Sequence, residues 1–128
     1  MKKSVLKDKS FKFAVRVVNL YKYLCQDKKE FVLSKQILRS GTSVGAMVRE
    51  AEHSESISDF IHKMAIAQKE INETIYWLEL LIETEYILDK EFESINNDAV
   101  EIIKIITSSI KTAKSKLTTN HLPLTTNH

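Results

Sequence analysis

The chain contains very little glycine, proline or cysteine: two Gly, one Pro and one Cys among 128 residues. Globular proteins average about 7% Gly and about 5% Pro, so this composition argues against a loop-rich or all-β fold. The single cysteine, Cys25, excludes an internal disulfide framework and fits a reducing compartment. No apolar run approaches the roughly 18 residues that are needed to cross a bilayer.

The N-terminal residues do not read as a secretory signal. The chain begins Met-Lys-Lys, but Lys7, Asp8, Lys9 and Lys12 interrupt any apolar region that could follow. With 43% hydrophobic and 28% charged residues, the chain is long enough to bury one core without disulfides or a structural metal. We therefore expect a cytoplasmic, helical protein without a membrane segment.

Apolar residues recur every three or four positions in four segments, which predicts four amphipathic helices. These helices are predicted over residues 9–26, 31–53, 57–85 and 91–117. Short connections between long helices favour antiparallel neighbours. The fold prediction is thus all-α, an antiparallel up-down-up-down four-helix bundle over residues 1–117. The inward face predicted for the first helix consists of Phe11, Ala14, Val18, Tyr21 and Cys25.

The C-terminal residues 118–128 differ from the rest of the chain. They are rich in Thr and Asn, hold the only proline and belong to a repeated phrase that ends in Thr-Thr-Asn-His. This composition predicts a flexible tail that is disordered or extended. A short duplication of the sequence and a binding motif are equally good explanations of the repeat.

Charge is segregated along the chain. Residues 1–49 are mainly basic, residues 50–100 are mainly acidic, and the last part is basic again. In an antiparallel bundle the start of the first helix and the end of the fourth lie together, so their cations form one candidate nucleic-acid surface. Solvated helix faces are the alternative, and no aromatic–basic interleaving predicts base recognition. The candidate residues are Lys2, Lys3, Lys7, Lys9, Lys12, Arg16, Lys111, Lys114 and Lys116.

The predicted third helix is more apolar than the core of one bundle requires. Beside its inward stripe it carries Tyr76, Trp77, Leu80 and Leu81, so the helix is apolar almost all round near its end. We predict that these four residues contact another copy of the chain in a homo-oligomer. Additional burial within one chain is the alternative.

Both glycines, Gly41 and Gly45, lie inside the predicted second helix. Each costs a helix about 0.5–1 kcal/mol relative to Ala, so we expect them where a neighbouring helix approaches closely. Serines flank them, but no base in the sequence is placed to activate a catalytic serine.

Two short motifs suggest metal chemistry. Glu50-x-x-His53 and Asp59-x-x-His62 resemble the ligand motifs of carboxylate-bridged dimetal bundles. They flank a predicted turn, however, instead of lying within the bundle, and the first and fourth helices offer no inward acids. We therefore predict no metal site and no cofactor.

Glu70 and Glu73 lie on one side of the third helix. They suit salt bridges to Lys35, Arg39 or Arg49 on a neighbouring helix or subunit, whereas a general acid/base pair would need a pocket and shifted pKa values. Phosphate-loop, dinucleotide and zinc motifs are all missing from the sequence. An enzyme is not predicted.

Two phrases, Arg-Ser-Gly-Thr-Ser at 39–43 and Glu-Thr-x-Tyr-Trp-Leu at 73–78, carry a family resemblance. With the residues around them they make the chain resemble the bacterial four-helix bundle proteins of the 23S rRNA intervening-sequence family over nearly its whole length. The resemblance implies a small all-α bundle, a ring-like homopentamer and no established enzymatic activity. This family is itself similar to the pentameric accessory proteins of diversity-generating retroelements, which associate with a reverse transcriptase and nucleic acid. Met47 and Arg49 depart from the family pattern, which commonly has Asn and a small residue there.

Three functional hypotheses follow. The first is a non-enzymatic oligomeric scaffold whose partners are further copies of itself and rRNA or another structured nucleic acid, bound through basic surfaces. The second is a protein–protein adaptor that binds no nucleic acid. The third, a dimetal oxidase, requires metal in the purified protein and loss of that metal when Glu50 or His53 is changed.

Overall fold

The computed structural model describes the backbone of residues 4–126 and the side chains of residues 4–119. Within that range the chain is all-α, without strands, and the prediction of four helices is confirmed. None of these helices is long and apolar enough to cross a membrane. The helices are α1 (Val5–Gln26), α2 (Leu33–Glu52), α3 (Ile57–Glu83) and α4 (Asp89–Thr126).

The helix starts are fixed by side chains that accept hydrogen bonds from free backbone amides. Ser4 caps α1, and Ser56 caps α3 by accepting a hydrogen bond of 3.0 Å from the amide of Asp59. The start of α2 has no such cap at Val32; instead the buried carboxylate of Glu30 accepts three backbone amide hydrogen bonds. The polar residues 27–30 that precede α2 therefore include the residue that caps this helix.

Two helix ends have residues with positive φ that are not glycine. Lys29 after α1 has a φ of 55° and Glu85 after α3 has a φ of 67°. Glycine commonly occupies this position because a side chain is strained there. Both glycines of this chain lie inside α2, so charged residues turn the chain here.

Each helix packs against its neighbours in sequence, and α1 packs less extensively against α4. Gly41 and Gly45 of α2 lie against α1: a Cβ on Gly41 would lie 2.7 Å from Val17 Cγ2, and one on Gly45 would lie 3.3 Å from the Ser10 carbonyl oxygen. The absence of side chains at these two positions allows α1 and α2 to approach closely. The largest fully buried side chains of the core are Phe13, Leu24, Ile37, Met64, Ile71, Leu78, Leu81, Ile102 and Ile106.

The inward face predicted for α1 was wrong. Phe11 is 53% exposed, whereas Leu6, Phe13, Val17 and Leu24 are buried. Helix α1 has two adjacent apolar stripes, and periodicity alone does not tell which one faces the core. The close approach of α2 at Gly41 places the stripe that contains Val17 inside.

Helix α4 continues past Leu117, where the sequence pattern ended it, as far as Thr126. No glycine follows Leu117 in the sequence to end the helix there. The predicted tail, residues 118–128, therefore begins within α4, and its last two residues lie outside the described part. Its flexibility remains a prediction.

Candidate functional site

Four of the five basic residues of α1 are each paired with an acid. The hydrogen bond from Lys9 Nζ to Glu101 Oε1 measures 2.8 Å and, with the charge of Glu101, raises the pKa of Lys9. The four cations thus lie in locally neutral pairs, although exposed pairs of this kind contribute little stability. Of the other predicted residues, Lys2 and Lys3 lie outside the described part. The pairs and their N–O distances are Lys7–Glu52 at 3.7 Å, Lys9–Glu101 at 2.8 Å, Lys12–Asp8 at 3.3 Å and Arg16–Asp98 at 2.8 Å.

The basic residues of α4 have a different environment. Four exposed lysines that follow Glu101 in the sequence, which we call the α4 lysines, form no ion pair with any residue of the described part of the chain. Glu101 is the last acidic residue of the sequence, so no carboxylate side chain lies between or after these lysines on α4. The structure therefore separates the predicted basic surface into a paired part on α1 and an unpaired part on α4. The α4 lysines are Lys104, Lys111, Lys114 and Lys116.

The α4 lysines do not all lie on one side of the helix. At about 100° per residue, Lys104 and Lys111 lie nearly in line along α4, whereas Lys116 is turned by about 140° from Lys111. Lys104 and Lys116 both border an open groove between α4 and the beginning of α3. Two of the four lysines therefore belong to a concave surface.

This groove, which we call the α3–α4 groove, has a volume of about 850 Å³. Ile57 and Phe60 of α3 and Ile105 of α4 supply apolar lining, and Glu55 is the one acidic residue that borders it within the described structure. The groove lies beside the α3–α4 contact at which Gln68 donates a hydrogen bond of 3.0 Å to the Thr107 hydroxyl. Sequence reasoning missed this groove, because its lining comes from two segments that only the packing of α3 on α4 brings together.

A second cluster of polar side chains joins α2 and α3. Arg39 donates hydrogen bonds to Glu70 and Glu73, and Trp77 Nε1 donates to Glu73 at 3.0 Å. The Trp77 hydrogen bond and then Arg39 lower the pKa of Glu73 against the opposing effect of burial. Hydrogen bonding to Glu73 in turn raises the pKa of Arg39. The predicted salt bridge between these glutamates and Arg39 is confirmed.

The same two helices share a buried hydrogen bond. Thr74 Oγ1 donates to Ser40 Oγ at 2.8 Å, and both side chains are fully buried. The phrases around Arg39 and Glu73 that carry the family resemblance therefore meet across the α2–α3 contact. Interhelical hydrogen bonds from Arg39 and Thr74 join these two phrases.

The residues predicted for an oligomer interface on α3 have unequal exposure. Tyr76 is 53% exposed, whereas Trp77 and Leu80 are half-buried. Leu81 has an exposed fraction of 0% and packs in the core of its own chain, so its assignment to the interface was wrong. The physical reason is that one face of this apolar part of α3 is buried against other helices of the same chain.

An exposed apolar surface that the sequence did not identify lies on α1. Phe11 is 53% and Val15 is 45% exposed, and the guanidinium of Arg49 lies 5.3 Å from the centre of the Phe11 ring. We call Phe11 and Val15 the α1 outer face. Phe11 belongs to the apolar stripe that the sequence pattern places in the core, and Val15 lies outside that stripe.

The two motifs considered for metal binding lie on either side of the α2–α3 turn. Glu50 and His53 are exposed at the end of α2, and Asp59 is engaged with the amide of Glu55 and with Lys63. Within the described residues, no group of three or more His, Cys, Asp or Glu side chains is arranged to hold a metal ion.

Comparison with known proteins places this geometry in a family. Residues 2–108 match the family model described as 23S rRNA-intervening sequence protein. A solved structure from Bacteroides thetaiotaomicron VPI-5482, a protein of unknown function from the S23 ribosomal protein family, is 65% identical with a TM-score of 0.83. The alignment covers 84% of this chain and 96% of that one. No curated protein gives a match.

Proposed function

Since the chain belongs to the 23S rRNA-intervening sequence protein family, we propose that it is a non-enzymatic, oligomeric four-helix bundle protein that binds structured RNA or a ribonucleoprotein through the α4 lysines. The observation that carries RNA binding is the contrast between the two basic segments. Cations that lack a carboxylate partner can exchange solvent and counterions for phosphates, whereas Lys7, Lys9, Lys12 and Arg16 of α1 already have anionic neighbours. A cytoplasmic location belongs to this proposal and is supported by the free thiol of Cys25.

Three of the α4 lysines, Lys111, Lys114 and Lys116, follow the residues that match the family model. The RNA-binding proposal thus depends on this chain's own residues as well as on the family name. Phosphate contacts of this kind provide affinity and position the RNA without reading its sequence. We accordingly expect a preference for RNA shape over RNA sequence.

The up-down-up-down arrangement is part of the same proposal. It is supported by contacts in which residues of rising number on α1 meet residues of falling number on α2. A ring-like homopentamer is supported by the family resemblance and by the exposed apolar α1 outer face. The supporting α1–α2 contacts are Lys7 with Glu52, Val17 with Gly41, and Cys25 with Ser34.

The test is equilibrium binding to a labelled rRNA stem-loop over a range of salt concentrations. We expect K111E/K114E to weaken binding and to lower the slope of log K against log salt by about one for each phosphate that the variant no longer binds. The matched control is K22E/K90E, which makes the same change in net charge at two other exposed lysines of α1 and α4. Light scattering verifies that both variants keep the wild-type mass.

Two results would contradict the proposal. No binding to the stem-loop at low salt would remove RNA as the partner. An equal loss of affinity in K111E/K114E and K22E/K90E would show that overall charge acts in place of a site on α4.

A protein–protein adaptor is the second candidate, and the α1 outer face favours it. Phe11 and Val15 lie one helical turn apart and are exposed beside Arg49, a combination of aromatic, aliphatic and guanidinium groups that is typical of protein interfaces. Under this alternative the α4 lysines can be reversed without effect on the partner, while substitution of the α1 outer face releases it.

A further inference from the structure

The α3–α4 groove offers contacts that phosphates do not use. Phosphate recognition requires only the α4 lysines, yet Lys104 and Lys116 border a concavity with apolar lining from Ile57, Phe60 and Ile105. Nucleobases that are not paired have two apolar faces, and in RNA-binding proteins these faces pack against aromatic and aliphatic side chains. The groove therefore joins cationic edges to an apolar surface, as an unpaired nucleotide requires.

Hydroxyl groups add a third kind of contact. Ser108, Ser109 and Thr112 of α4 line the groove, and their hydroxyls form no side-chain hydrogen bond with any residue that the structure describes. Other helical hydroxyls of the chain behave differently: those of Thr42 and Thr84 donate to the carbonyl oxygen four residues earlier. The three groove hydroxyls thus remain available to the polar edge of a base or to a ribose.

We propose that the α3–α4 groove binds an unpaired nucleotide segment of the RNA, with base faces against Phe60 and Ile105 and with phosphates at Lys104 and Lys116. This inference rests on the proposed RNA binding and adds a preference for single-stranded elements over duplex. The volume of about 850 Å³ lies within the range of small-molecule sites, about 300–1,000 Å³. It therefore suits one or two nucleotides better than the long face of a docked helix.

Charge supports the same occupant. Two lysines border the groove against the single carboxylate of Glu55, so the local balance favours an anion. A duplex presents its phosphates but keeps its bases stacked, and its contacts would stop at the lysines on the rim. Only an unpaired segment can use the rim and the apolar lining together.

The experiment compares two labelled RNA hairpins with the full-length protein. One has an unpaired 3′ tail; the other is blunt, with its duplex lengthened so that both carry the same number of phosphates. We expect the tailed hairpin to bind about tenfold more tightly, since stacking of one base contributes roughly this much. Because stacking releases few counterions, this ratio should persist at higher salt while both affinities fall.

In the second part of the experiment, two leucine substitutions fill the α3–α4 groove without changing the charge of the protein. S109L/T112L should abolish the preference for the tailed hairpin and leave blunt-hairpin binding unchanged. The matched control is S94L/N97L, which places two leucines with the same spacing at exposed positions nearer the start of α4. If S109L/T112L has a lowered melting temperature, T112L alone, at an exposed position, makes the same test.

Three outcomes would overturn the inference while RNA binding itself stands: equal wild-type affinity for the two hairpins, a preference that survives S109L/T112L, or an equal loss for both hairpins in that variant. If instead neither hairpin binds, even at low salt, and K111E/K114E has no effect on the measured signal, the proposed function itself has failed.

Discussion

Glu73 is the residue on which the polar contact between α2 and α3 depends. Its carboxylate accepts hydrogen bonds from Trp77 on its own helix and from Arg39 on α2, which hold its pKa below the ordinary value of 4.5. A carboxyl group whose pKa is lower in the folded state stabilises that state above its unfolded pKa. The stabilisation is then lost as the pH falls from about 4.5 through the lower folded value.

We predict that E73Q flattens the acid side of the stability profile. The variant should be less stable than wild type at neutral pH, where it lacks the charged hydrogen bonds, and the difference should shrink below about pH 4.5. Denaturant unfolding across pH measures this, and fluorescence of Trp77, the only tryptophan, reports the same titration. E79Q, at an exposed position of α3, is the control; a profile for E73Q parallel to wild type would contradict the role of Glu73.

Glu85 has a side chain at a position whose backbone conformation favours glycine. Its φ of 67° lies in the left-handed region, which costs a residue with a side chain roughly 1–2 kcal/mol. Glycine avoids this strain but gains entropy in the unfolded chain. We therefore predict that E85G raises the free energy of unfolding by about 0.5–1 kcal/mol.

E83G is the matched control for E85G. Glu83 is exposed in the last turn of α3 and has no strain to relieve. Glycine should lower the free energy of unfolding there by about 0.5–1 kcal/mol. Thermal or urea unfolding of the two variants measures both effects, and a loss of stability in E85G would show that its side chain contributes more than its strained backbone costs.

At the scale of elements, the contact of α1 with α2 decides which face of α1 is buried. A Cβ at Gly41 would lie 2.7 Å from Cγ2 of Val17, a fully buried side chain that has no room to move away. Close packing at this point brings the stripe with Val17 and Phe13 against the core. Phe11 and Val15 are left on the opposite side of α1.

We predict that G41A lowers the free energy of unfolding by about 1–2 kcal/mol, because overpacking exceeds the gain in helix propensity. The same substitution in a V17A background should cost less, since the methyl groups that it meets are absent. Urea unfolding of the four proteins forms a double-mutant cycle. A coupling free energy of zero would contradict the close contact between these two residues.

At the scale of the whole molecule, the unpaired α4 lysines and the exposed apolar groups of α1 occupy different parts of the surface. Under the proposed function, the α4 lysines and the α3–α4 groove contact nucleic acid, whereas the α1 outer face contacts a second copy of the chain. These surfaces lie on different helices. Assembly and RNA binding should therefore be separable by mutation.

We predict that the purified protein has a mass by light scattering that is a multiple of 14.7 kDa and that F11S/V15S lowers it. V32S/L88S is the control, because these residues are also exposed and apolar but lie in the loops. Y76S/L80S tests the surface of α3 that the sequence indicated. A wild-type mass of 14.7 kDa, or an F11S/V15S variant of unchanged mass, would remove the α1 outer face from the interface.

Much of the fold could be predicted because helical periodicity is a local property. The four helices follow from spacing along the chain. The sequence also predicted a cation beside Glu70 and Glu73 but left Lys35, Arg39 and Arg49 open, and the packing of α2 on α3 selects Arg39. The candidate site was predicted less well. The sequence indicated a basic surface, but the pairing of Lys7, Lys9 and Arg16 with acids on α2 and α4 depends on how the helices are arranged in space.

The sequence by itself determined the fold class and the family, since both follow from local patterns that survive without knowledge of the packing. Only the tertiary structure decided which stripe of α1 is buried, that Leu81 belongs to the core, and that residues of α3 and α4 line one groove. These features arise between segments that are distant in the chain. Their energies depend on which helix surfaces contact each other. Periodicity describes the surface of one helix and does not specify its partner.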